Sequence, residues 1–270
     1  MPIRLGAVTY LNARPLVYGL EAHDRFAIRY DLPSECARLL HAHEIDLGLI
    51  PSIEALRGAV RYAIVPGPAV TSRGPVASVA IYTRRDARDI RTIAMDTSSR
   101  TSVALAAIML RRRFGADAGA VMMAPDLDAM LARADAALII GDNALFLDHD
   151  AIGARKIDLG EEWTAMTGLP FVYAVWTGWP GAVTPQDAAT LQRARDAGTA
   201  HADAVASAYY PDDTRKQAVA RRYLRDNIRY VLGPDEIAGL TAFYRYASEL
   251  HLAPFDGQLR FYDAEHQPAR

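Results

Sequence analysis

Four times in this chain a short apolar run passes straight into a polar turn that opens a helix-forming segment. These are Leu5-Gly6-Ala7-Val8-Thr9-Tyr10-Leu11-Asn12, Asp46-Leu47-Gly48-Leu49-Ile50-Pro51-Ser52, Ala94-Met95-Asp96-Thr97-Ser98-Ser99 and Leu138-Ile139-Ile140-Gly141-Asp142-Asn143. A strand feeding a helix through a tight turn is the unit of open α/β sheets. In such sheets ligands sit outside the carboxyl ends of the strands. Helix starts at that edge present unpaired N–H groups and a partial positive charge, which suit anions. The pattern predicts an α/β protein whose small-molecule site is assembled from several strand-to-helix turns.

The order of the elements predicts two lobes. Strand–helix alternation runs from 1 to about 70 and resumes from about 91 to 141, and the chain is nearly all helical after 177. The segments 75–83 and 170–177 are apolar, rich in β-branched or aromatic residues, and lie between these blocks. They read as two crossover strands forming a hinge. One lobe is then 1–83 plus the helical tail 178–270, and the other is the insert 84–177, with a central ligand cleft between them.

Bulk properties remove several classes of function. A formal net charge of -2 over 270 residues gives no bias towards nucleic acid or an acidic membrane surface. The single cysteine, Cys36, excludes an internal disulfide and a thiolate metal cluster, and its helical setting suits a small buried hydrophobe. No apolar stretch reaches the length of a membrane span, and the N-terminus enters a strand without a leader-like segment, so the expected location is cytoplasmic. Neither G-x-x-x-x-G-K-[ST] nor G-x-G-x-x-G nor G-x-S-x-G occurs, and no histidine pair has a metal-like spacing. Such a chain, if an enzyme, works without cofactor or metal, by orientation and hydrogen bonding. A homodimer is compatible with the chain, but nothing in the sequence decides the oligomeric state.

Three segments carry candidate chemistry. The stretch 97–102 offers five hydroxyls and the Arg100 guanidinium at one helix start, where a single hydroxyl would suffice as a cap. That surplus predicts an anion site built from Ser98, Ser99, Thr101 and Ser102. Ser78 interrupts the apolar run 75–83, and Thr167 with the Gly168 N–H precedes the run 170–177; both sites are expected to reach the cleft. Phe171, Tyr173 and Trp176 read as core.

With these segments in place the chain resembles the chorismate dehydratase family, which opens the futalosine route to menaquinone. The resemblance is carried by Tyr10-Leu11-Asn12 with Pro15-Leu16, 46–52, Gly74-Pro75-Val76-Ala77-Ser78-Val79, and Asp96-Thr97-Ser98-Ser99 with Thr101-Ser102. It continues through Ile140-Gly141-Asp142, Asp158-Leu159-Gly160 with Trp163, and Thr167-Gly168-Leu169-Pro170-Phe171-Val172. The resemblance implies a two-lobed fold of the periplasmic-binding-protein type II kind. It also implies a lyase that converts chorismate into 3-[(1-carboxyvinyl)oxy]benzoate with loss of water.

On that reading one substrate carboxylate meets 98–102 and the other meets Ser78 and nearby donors. Tyr10, Ser52, Thr167 and Gly168 complete the binding residues. Asn12 hydrogen-bonds the reacting ring, and either Asp142 or the substrate's own enolpyruvyl carboxylate takes the proton. A non-catalytic binding protein for a small acid, a regulator's ligand-sensing domain and the sister dehypoxanthine futalosine cyclase are the competing readings. The cyclase carries a histidine base where this chain has Gly141-Asp142, which favours the dehydratase.

Overall fold

The computed structural model describes residues 1–262, so the end of the expected tail, 263–270, lies outside the described residues. Two mixed sheets organise the chain. The strands are β1 Ile3–Val8, β2 Phe26–Asp31, β3 Leu47–Pro51, β4 Ala63–Ser72, β5 Val79–Thr83, β6 Thr92–Asp96, β7 Gly119–Met123, β8 Ala136–Ile140, β9 Arg155–Asp158, β10 Phe171–Gly178 and β11 Arg229–Leu232. The helices are α1 Pro33–His41, α2 Thr101–Ile108, α3 Leu127–Arg133, α4 Gly141–Leu145, α5 Leu159–Thr167, α6 Pro185–Ala200, α7 Ala202–Tyr209, α8 Thr214–Arg222 and α9 Pro234–Glu249.

The first sheet has the order β11-β4-β10-β3-β1-β2 and the second β7-β6-β8-β5-β9. Within the first, β1 runs parallel to β2 and β3, while β10 runs antiparallel to β3 and β4. Burial follows position. Every residue of the central strands β3 and β8 is buried, as expected of a strand covered on both faces, whereas the edge strand β7 is largely exposed.

The chain passes between the sheets twice, but not along the strands expected to cross. β5 lies wholly in the second sheet and β10 wholly in the first. The outward passage is the irregular segment 73–78, and the return is α5 with the turn after it. The sheet boundaries therefore depart from 83/84 and 177/178. The cause is pairing: β5 gains a full antiparallel ladder with β8, and β10 fills the gap between β3 and β4. Two short edge strands, β9 and β11, carry no sequence signal, and β11 falls in a stretch that reads as helix.

The mostly helical tail packs back on the first sheet, to which it adds β11, and on both passages. Trp163 of α5, Phe171 of β10 and Phe243 of α9 form an edge-to-face cluster with centroids 4.9–6.3 Å apart. Helix α6 approaches the turn after β1 so closely that a Cβ at Gly198 would lie 2.1 Å from the Pro15 carbonyl. Cys36 is fully buried, and burial pushes its thiol up to about 12, so it packs as a small hydrophobe.

Helix α6 begins with a capping box between Thr184 and Asp187, and the Asp187 carboxylate also receives Arg25 through two bonds of 2.8 Å. Burial pushes the Asp187 carboxyl up, but Arg25 and Thr184 outweigh it and bring it down to about 2. The folded value lies below the unfolded one of about 3.9, so this stabilisation is complete above that pH and is lost as pH falls through the folded value. Asp187→Asn should therefore lower the urea midpoint at pH 7, and the gap to the unmodified protein should close between about pH 4 and pH 2.

Candidate active site

All four strand-to-helix turns meet at one cleft between the sheets. Its polar lining comes from Tyr10 and Asn12 after β1, Ser78 on the outward passage, and Ser99, Thr101 and Ser102 after β6. Val8, Leu49, Val70, Val76, Ile140 and Tyr173 supply most of the apolar wall. Among the described residues, no lysine or arginine lines it. An anion here would be held by neutral hydroxyl and N–H donors. Among the described residues, no group of three or more His, Cys, Asp or Glu side chains converges as a metal set would.

The hydroxyl donors each have a local cause. Ser99 Oγ accepts the Ser102 N–H at 3.2 Å and caps the start of α2. Thr101 Oγ1 accepts the Ile53 N–H at 3.2 Å and lies 3.4 Å from Ser52 Oγ, so it joins the second sheet's turn to the first's. Ser78 Oγ lies 2.7 Å from the Tyr223 hydroxyl, which also adjoins the Asn12 side chain. Ser78 follows Ala77, a non-glycine residue at φ 64. Asp158 holds that strained turn: its carboxylate accepts Val76 N–H at 3.0 Å and Ala77 N–H at 2.7 Å while capping α5.

Six of the expected site residues thus share the cleft wall: Tyr10, Asn12, Ser78, Ser99, Thr101 and Ser102. Three others stand one bond behind it. The Tyr10 hydroxyl donates to Ser98 Oγ at 3.0 Å. Ser52 is fully buried and donates to the Val172 carbonyl at 2.8 Å. Asp142 accepts the Leu11 N–H at 3.2 Å and the Tyr209 hydroxyl at 2.6 Å, so both its oxygens face protein donors. Burial raises the Asp142 carboxyl, opposed by the bonds from Tyr209 and Leu11.

Thr167 and Gly168 do not reach the cleft, contrary to expectation. They end α5: Thr167 donates to the Trp163 carbonyl at 2.8 Å, and Gly168 takes the left-handed cap conformation at φ 72 and is exposed.

Residues from far along the chain complete the site and left no motif behind. Tyr209 and Tyr223 come from the helical tail, and Tyr173, read as core, both lines the cleft and bonds Ser72 at 2.9 Å. The only signals for Tyr209 were an aromatic pair and a proline that end a helix. Gly141, at φ 64, lies against the Tyr10 ring, where a Cβ would come within 2.9 Å of the ring carbons.

The Asp142 carboxylate fastens the turn carrying Tyr10 and Asn12 to the second sheet. Asp142→Ala strands the buried Leu11 N–H and leaves the Tyr209 hydroxyl only the Thr9 carbonyl, 2.9 Å away. It should lower unfolding stability by about 2–3 kcal/mol in urea titrations, while Tyr209→Phe, which keeps the Leu11 bond, should lower it by about half as much.

The chain is similar to known proteins in sequence and in fold. The chorismate dehydratase of Thermus thermophilus is 29% identical over 261 residues, spanning 90% of this chain and 94% of that one. The structure superposes on a protein from Archaeoglobus fulgidus with a TM-score of 0.75 at 17% identity, over 93% of this chain and 98% of that one. It also superposes on a Candida albicans protein described as having the generic periplasmic binding protein fold, with a TM-score of 0.65 at 12% identity over 92% and 90%. The periplasmic aliphatic sulphonate binding protein of Escherichia coli matches with a TM-score of 0.59 at 15% identity over 100% and 96%. The fold is therefore the two-sheet, periplasmic-binding-protein-like α/β fold. The model of the menaquinone biosynthesis family matches residues 3–249, and the chain belongs to that family.

Proposed function

We propose that this chain is a lyase that dehydrates chorismate to 3-[(1-carboxyvinyl)oxy]benzoate, with the substrate held in the cleft between the two sheets. The family match over residues 3–249, joined to a relative named for chorismate dehydration, carries this reading. The cleft chemistry is consistent with it. Chorismate has two carboxylates, and the cleft offers two groups of neutral donors: Ser99, Thr101 and Ser102 at the start of α2, and Ser78 with Asn12 on the other side. Each charge-assisted bond contributes about 1.5–3 kcal/mol, so two or three hold a small acid after the entropy of binding is met.

The reaction asks little acid–base power of the protein. Loss of the ring proton and the neighbouring hydroxide yields an aromatic ring, and aromatisation drives the step. The cleft's task is to hold the enolpyruvyl side chain in the geometry for elimination and away from rearrangement. Asp142 has both oxygens occupied and stands behind the turn, so the substrate's enolpyruvyl carboxylate takes the ring proton in this scheme. Asn12 faces the reacting ring and stabilises the charge that develops there. The two sheets with their helices act as lobes that close on the substrate. A biosynthetic step of this kind belongs in the cytoplasm.

The decisive experiment incubates the purified protein with chorismate and no added metal or cofactor, and follows the product by chromatography and mass spectrometry. Binding without product would replace this reading with that of a small-acid binding protein. Asn12→Ala should lower kcat by roughly 10²–10³, by analogy with loss of an oxyanion-stabilising donor. Asn12→Asp sets a carboxylate beside a dianionic substrate and should bind it more weakly than Asn12→Ala, as read by calorimetry.

A further inference from the structure

Tyr10 connects the cleft to a buried carboxyl group that the scheme above does not use. Its hydroxyl lies 3.0 Å from Ser98 Oγ, and Ser98 Oγ lies 2.7 Å from Asp96 Oδ1. Asp96 is 0% exposed. Its Oδ1 also accepts the Ser98 N–H at 2.8 Å, whereas Oδ2 is buried without a hydrogen-bond partner among the described residues. The groups facing it are Ser98, the backbone at Ile140 and, across the cleft edge, Tyr10; none of them is a cation. A carboxylate buried with no cation beside it is disfavoured relative to the neutral acid. Burial raises its pKa, against the opposing bonds from Ser98 and from the Ile140 backbone.

We propose that Asp96, Ser98 and Tyr10 form a proton-delivery chain, with Tyr10 handing a proton to the hydroxyl that leaves the substrate. The proposal rests on the dehydration reading. The polarity of the chain follows one proton. With Asp96 ionised, Ser98 and Tyr10 both donate inward. With Asp96 neutral, Asp96 donates to Ser98, Ser98 to Tyr10, and the Tyr10 O–H turns to the cleft. A dianionic substrate above the chain favours the neutral form.

Hydroxide is a poor leaving group, and protonating it as it departs is the usual remedy. Among the described residues lining the cleft only Tyr10 and Tyr173 titrate, and the Tyr173 hydroxyl is engaged by Ser72. Tyr10 is the one linked to a carboxyl group.

The step balances. The ring C–H bond breaks, its proton goes to the enolpyruvyl carboxylate and its electron pair enters the ring. The C–O bond breaks with its pair on oxygen, and that oxygen takes the Tyr10 proton and leaves as water. Tyr10 takes the Ser98 proton and Ser98 takes that of Asp96, which is left as carboxylate. After release the product carboxyl loses its proton to solvent, and Asp96 regains one through the same chain.

The test compares the unmodified protein with Tyr10→Phe and Ser98→Ala in H₂O and D₂O. Tyr10→Phe should lose roughly 10²–10⁴ in kcat, the usual worth of a general acid, with KM changed less than about threefold. Ser98→Ala removes only a buried hydroxyl and should also lower kcat, at least about tenfold, while Ser98→Thr restores it. A normal solvent isotope effect on kcat should vanish in Tyr10→Phe. Infrared spectra should show a protonated carboxyl band at neutral pH that is missing in Asp96→Asn. Turnover of Tyr10→Phe and Ser98→Ala within about threefold of the unmodified protein, or a loss confined to KM, would overturn the proposal. So would absence of the band. If the unmodified protein leaves chorismate unchanged, the dehydration reading fails, and the infrared band alone decides whether Asp96 stores a proton.

Discussion

The Asp142 carboxylate holds together three stretches of chain that are remote in sequence. It sits at the start of α4 in the second sheet's half, accepts Leu11 N–H from the turn after β1, and accepts the Tyr209 hydroxyl from the end of α7. Removing a carboxylate from water is expensive, and two donors aimed at it recover most of that cost. Everything at the front of the cleft depends on the result. Leu11 lies between Tyr10 and Asn12, so the residue that fixes its N–H fixes both side chains on either side of it. Asp142, one of the two proton acceptors the sequence left open, thus also fixes the turn that carries Tyr10 and Asn12.

Polar bonds between small groups join the two halves across the cleft: Tyr10 to Ser98, Thr101 to Ser52 and Ile53, Leu11 to Asp142. Each neutral pair is worth only about 0.5–1.5 kcal/mol net, because water offers the same partners. Parting such a seam would not tear an apolar core. The strongly apolar packing lies elsewhere, in the Trp163–Phe171–Phe243 cluster where α5 returns the chain to the first sheet. Apolar packing thus lies at the back of the cleft and polar contacts at its front.

What could be read from the residues was local. The turns after β1, β3, β6 and β8 announce themselves because an apolar run meets hydroxyl, amide and glycine residues at one point, and all four do meet at the cleft. The surplus of hydroxyls at 97–102 was equally plain, though it divides its labour: Ser99 caps, Thr101 bridges, and Ser98 stands behind Tyr10. The failures were failures of pairing. Nothing in 75–83 or 170–177 tells which sheet each strand joins, because that depends on partners supplied from elsewhere. Thr167 and Gly168 looked like site residues because glycine after a hydroxyl suits a ligand as well as it suits a helix end. Tyr209 and Tyr223 were invisible, since an aromatic residue on a helix has the same pattern whether it faces a core or a cleft.

Gly141 and Tyr10 occupy one space. At φ 64 position 141 tolerates a side chain poorly, and any Cβ there would also lie 2.9 Å from the Tyr10 ring. Neither position is free to drift alone. A larger residue at 141 first requires a smaller one at 10, and losing Tyr10 first leaves the cleft without its ring. In descent this makes the two sites a single character: relatives should divide into those with glycine at 141 and tyrosine at 10, and those in which both have changed, with few lineages holding the intermediate for long.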